Sequence, residues 1–60
     1  MRKMYLTKFR YFINPKFKVW IDYQKFTYAN DLNEAEKLVE HFAFKCLKAY
    51  KLTILRTEQI

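Results

Sequence analysis

Glycine is absent from this 60-residue chain. A loop that cradles a phosphate needs close backbone approach and positive φ, and glycine supplies both. Loops of that kind are therefore excluded, and so is the glycine that ordinarily closes a helix in the left-handed region. Cysteine occurs once, as Cys46, so no internal disulfide can form, which fits a reducing cytoplasm. No Cys/His spacing suits zinc. The hydrophobic runs are only a few residues long, too short to span a membrane. Lys8 and Arg10 interrupt the apolar core that a secretory signal would need.

Acids are also scarce. Six stand against twelve Lys and Arg, giving a net charge of +6. They are unevenly placed. Arg2, Lys3, Lys8, Arg10, Lys16 and Lys18 precede the first acid, while Asp31, Glu34, Glu36 and Glu40 cluster together. The chain should be dipolar, with a basic hairpin and an acidic helix start. Nucleic acid, an acidic protein surface or an anionic membrane could each use the basic part.

What is abundant is aromatic. Phe, Tyr and Trp make up 20% of the residues, and this matters because the chain is short. Residues 1–60 make one domain, and a domain of that length buries only about 60% of its unfolded surface. Without disulfide or metal, aromatic packing or association with another chain must supply the missing stability.

Asp31 to Tyr50 has the pattern of an amphipathic helix. Asp31 is the N-cap, and Glu34 three residues on completes a capping box. Leu32, Ala35, Leu38, Val39, Phe42, Ala43, Cys46, Leu47, Ala49 and Tyr50 cover roughly half the circumference and form the buried face. Phe44 falls on the polar side.

The rest reads as strand. Met4 to Ile13 alternates, with Tyr5, Thr7, Phe9, Tyr11 and Ile13 toward the helix. Asn14-Pro15-Lys16 is a turn. Phe17 to Tyr23 is the second strand, with Lys18, Trp20 and Asp22 outward. At Gln24-Lys25 the alternation slips, and a β-bulge restores the phase for Phe26 and Tyr28 better than a tight turn would. Leu52 to Thr57 is the last strand, with Leu52, Ile54 and Arg56 on one face and Glu58-Gln59-Ile60 frayed beyond it unless Ile60 docks.

The expected fold is α+β, in the order ββαβ. A right-handed crossover places the last strand beside the first, giving a three-stranded, mainly antiparallel sheet of order 2-1-3. One helix covers one face. The other face would expose Met4, Leu6, Lys8, Arg10 and Phe12 with Lys18, Trp20 and Asp22, an apolar area rimmed by base that a monomer of this size rarely leaves bare.

Catalytic chemistry finds little support. His41 and Cys46 are five residues apart and point about 140° apart on a helix, whereas a nucleophilic cysteine needs an adjacent base. Glu36 and Glu40 lie one turn apart on a solvent face. The expectation is a non-enzymatic binding module without cofactor, metal or small-molecule substrate. It docks on a macromolecular surface, as a homodimer or against an acidic protein surface or a nucleic-acid-containing complex. Lys8, Arg10, Phe12, Lys18, Trp20 and, secondarily, Phe44 are the candidate contact residues. The alternative is a nucleic-acid-binding protein whose basic, aromatic sheet face stacks bases and neutralises phosphates. Length and Lys/Ile/Asn/Tyr-rich usage fit the general run of small bacteriophage or mobile-element proteins, which often act in the host cytoplasm by docking on a host enzyme or defence complex.

Overall fold

A computed structural model describes residues 2–60. The chain runs β1 (Lys3–Phe12), β2 (Ile21–Ala29), α1 (Leu32–Lys45) and β3 (Lys51–Gln59). The strands form one antiparallel sheet in the order β2-β1-β3. The fold is the expected α+β, ββαβ arrangement, with the first strand central and α1 across one face.

Tyr5, Thr7, Phe9 and Tyr11 alternate along β1 and are buried beneath α1. Ile13 lies past the strand end and is exposed. The helix presents a narrow stripe, Ala35, Val39 and Ala43, spaced four residues apart and fully buried. Small alanines let the helix approach the sheet closely, so Phe9 and Val39 lose all contact with solvent. Burying either side chain contributes about 1.5–3 kcal/mol. Tyr11 and Ala43 extend this core, flanked by Leu47, Ala49, Leu52 and Ile54. A second cluster, Tyr5, Ala29 and Ala35, lies under the start of the helix. Leu32 and Leu38 remain half-exposed, so the buried face is narrower than the apolar arc in the sequence.

Asp31 caps the helix as its side chain accepts a bond from the Glu34 N–H at 2.8 Å. The Glu34 carboxylate accepts from the Asn30 amide at 3.1 Å. The helix stops at Lys45, earlier than the expected Tyr50, and Cys46 is its C-cap. Lys48 takes the left-handed position with φ 57°. The stop that glycine would have made is thus made by lysine. The Leu47 N–H donates to the Phe42 carbonyl at 3.3 Å and the Ala49 N–H to that of Ala43 at 3.0 Å. The Tyr50 N–H then donates to the Phe12 carbonyl at 2.7 Å and starts the last strand. Because the helix ends first, Cys46 is exposed and not on the buried face.

The second strand differs most from expectation. Residues 17–20 belong to a connecting loop, and β2 begins at Ile21. No bulge or turn occurs at Gln24-Lys25: the register against β1 is unbroken from Tyr11↔Ile21 to Lys3↔Ala29. Lys25 takes a helix-facing position because its ammonium reaches over the Phe42 ring, 4.5 Å from the centroid. That contact lets a charged residue keep phase, so Phe26 and Tyr28 stay on the open side. The bulge lies in β3, where Lys8↔Arg56 is followed by Phe9↔Ile54 and Leu55 is the extra residue. It returns Thr57 to the helix side and sends Arg56 to the open side, splitting Arg56 from Leu52 and Ile54. The strand runs on to Gln59, and the Ile60 N–H donates to the Met4 carbonyl at 2.9 Å, so the carboxyl end is paired and not frayed.

Candidate docking surface on the open sheet face

Cross-strand partners share a face, so the register sorts the uncovered side into rows. Tyr28, Met4 and Ile60 form the first, and Phe26, Leu6 and Glu58 the second. Gln24, Lys8 and Arg56 form the third, and Asp22, Arg10 and Thr53 the fourth. The first two rows are apolar but for Glu58. Phe26 is 52% exposed, Tyr28 59% and Ile60 65%. The last two rows are polar, and Lys8, Arg10, Asp22 and Gln24 of them line an open depression bordered by Leu55.

The charges in the polar half are largely matched. Arg10 Nε donates to Asp22 Oδ1 at 2.7 Å across the β1–β2 pair. Arg56 approaches Glu58 at 3.2 Å. Both pairs are solvent-exposed, so each contributes well under about 1 kcal/mol. Their effect is to fix where the guanidinium groups lie and to lower the net charge of the face.

The six candidate contact residues do not form one site. Lys8 and Arg10 stand exposed on the open face. Lys18 and Trp20 belong to the β1–β2 loop, because β2 starts after them. Phe12 is only 3% exposed and is not a surface residue. Its parity is that of the open face, but the loop folds back over it. Trp20 covers it edge-on at 4.7 Å and Tyr50 stacks on it at 5.8 Å. Phe44 is 47% exposed on the outer side of α1, on the opposite side of the molecule from the open face.

Phe26, Tyr28, Leu55 and Ile60 were missed by the sequence reading. Unbroken alternation from Ile21 would have found the first two. Alternation puts Leu55 on the face opposite Leu52 and Ile54, and the bulge leaves it unpaired at the rim of the open side. His41 is exposed on α1 and Cys46 caps it, so neither faces the sheet's open side. Among the described residues no helix is long and apolar enough to cross a membrane. Comparison with protein-family models, with curated proteins and with solved structures finds no match to this chain.

Proposed function

We propose that the protein is a non-enzymatic binding module that docks through its open sheet face, and that a second copy of the chain is the partner this face fits best. The carrying observation is the pair of adjacent rows Tyr28–Met4–Ile60 and Phe26–Leu6–Glu58. Exposed apolar groups are ordinary when scattered, but contiguous ones mark an interaction surface. A two-fold axis through this half lets Phe26 and Tyr28 of each copy cover Met4 and Leu6 of the other. The rows of Lys8 and Arg10 then fall at opposite outer borders, so like charges are not apposed. The sandwich also supplies the apolar burial that a chain of this length lacks.

Single-stranded nucleic acid is the second reading, favoured by Phe26 and Tyr28 beside Lys8 and Arg56, rings for bases to stack on next to cations for phosphates. The charge of the face weighs against it. Lys8, Arg10 and Arg56 are offset there by Asp22 and Glu58, leaving one net positive charge from three cations and two carboxylates.

The test is the concentration dependence of thermal unfolding. A dimer melts at higher temperature as protein concentration rises. Phe26→Asp should remove that dependence while leaving the helical signal in place, because Phe26 touches no core cluster. A melting temperature that ignores concentration in the parent protein refutes the dimer. Binding of single-stranded oligonucleotide, weakened steeply by salt, would put the second reading first.

A further inference from the structure

We infer that the β1–β2 loop end of the molecule, at the opposite end of the sheet from the apolar rows of the open face, is a docking surface for anionic phospholipid bilayers. The loop spans residues 13–20, and every residue in it is exposed. Phe17 is 69% exposed, Val19 68%, Ile13 56% and Trp20 41%, and Tyr50 beside them is 62% exposed. The C-terminus of α1 and the start of β3 reach the same end, because the helix runs from the far end of β2 back toward the loop. Lys16, Lys18, Lys45, Lys48 and Lys51 therefore lie at the same end as these apolar side chains. No carboxylate occurs in the loop or in residues 42–52, and Asp22, at the base of the loop in β2, is paired with Arg10.

The loop is held in shape. Asn14 Oδ1 accepts from the Lys16 N–H at 2.9 Å, and the Val19 N–H donates to the Phe17 carbonyl at 2.8 Å. Trp20 anchors the return limb edge-on against Phe12, which stacks in turn on Tyr50. These contacts restrict the backbone that carries Phe17 and Val19, which reduces the cost of binding. The molecule measures 42 Å along its longest axis, and the ten-residue central strand accounts for about 33 Å of that. The loop forms the tip of the β1–β2 pair, with Trp20 folded back on Phe12.

Three features point to a lipid surface. Trp and Tyr favour the membrane–water interface, with the ring apolar and the polar atom wet. Lysine buries its stem along apolar surface and keeps its ammonium in the headgroup layer, where anionic lipid attracts it. Ile13 and Val19 are aliphatic and offer nothing for a base to stack on, whereas acyl chains accept them and the exposed Phe17 alike.

Trp20 is the only tryptophan in the chain, so its emission reports the tip directly. The intact protein is titrated at low salt with vesicles of equal parts phosphatidylserine and phosphatidylcholine, and with phosphatidylcholine vesicles alone. The mixed vesicles should shift the emission to shorter wavelength, and brominated acyl chains should quench it. Phosphatidylcholine alone should give little response. Phe17→Ser with Val19→Ser should weaken binding by at least about tenfold, since two inserted apolar side chains are lost. Lys16→Glu with Lys18→Glu should abolish it. All four positions are exposed, so circular dichroism and melting temperature should match the parent. Phe26→Asp should bind vesicles as the parent does. The inference is overturned by any of four results: no response to the mixed vesicles, parental binding by the Phe17/Val19 variant, loss of binding in Phe26→Asp, or a Trp20 response to single-stranded oligonucleotide and none to vesicles.

Discussion

Two threonines beneath the helix should respond in opposite directions to the same substitution. Thr7 is fully buried, and its Oγ1 accepts a bond from the Thr57 hydroxyl at 3.2 Å. Thr27 is 9% exposed, and its Oγ1 is buried without a hydrogen-bonding partner among the described residues. A buried hydroxyl without a partner costs about 1–3 kcal/mol in lost hydration. Valine keeps the shape and the strand preference of threonine and carries no hydroxyl. Thr27→Val should therefore stabilise the fold by about 1–2 kcal/mol. Thr7→Val leaves the half-buried Thr57 hydroxyl unpaired and should cost about 1 kcal/mol. Urea unfolding followed at 222 nm reads both. With a slope near 1 kcal/mol per molar urea, the midpoints should move about 1–2 M up for Thr27→Val and about 1 M down for Thr7→Val. A lowered midpoint for Thr27→Val, or shifts of the same sign in both variants, would refute the reasoning by showing that the Thr27 hydroxyl is bonded or that hydroxyl pairing does not control this layer.

Lys48→Gly should raise the melting temperature. A non-glycine residue in the left-handed region costs about 1–2 kcal/mol, partly offset by the greater unfolded-state freedom of glycine. A net gain approaching 1 kcal/mol would be about 4–8 °C in a thermal melt. Asp31→Ala should remove the bond to the Glu34 N–H and cost about 1 kcal/mol, read as a lower midpoint in the same urea titration. Phe9→Ala should cost about 3–5 kcal/mol. Set against about 3–9 kcal/mol for a domain of this length, that leaves little or no cooperative unfolding transition at 25 °C.

The fold was legible because its two periods are clean. Tyr5, Thr7, Phe9 and Tyr11 alternate without error, Ala35, Val39 and Ala43 recur every fourth residue, and Asp31 carries the cap. The expected half-circumference of buried helix was too wide because Leu32 and Leu38 overhang the edges of a three-stranded sheet. Two other misreadings share one physical cause, a residue type standing where preference argues against it. Lys25 sits on the helix-facing side because its ammonium finds the Phe42 ring, which hides the unbroken phase of β2. Lys48 sits where glycine is preferred, which hides the helix stop. Phe12 was misplaced because the loop folds back, a long-range event that strand parity does not record. The Leu55 bulge is set by pairing with β1, and no turn residue announces it. The open face itself was half visible: Met4, Leu6, Lys8 and Arg10 were placed correctly on it, whereas Phe26 and Tyr28 needed the register.

Sedimentation equilibrium across a wide range of protein concentrations tests the central claim most directly. The account predicts a mass rising toward twice the 7.5 kDa of the chain, with Phe26→Asp remaining at the single-chain mass while still folded. A parent protein that keeps the single-chain mass at every concentration would contradict it.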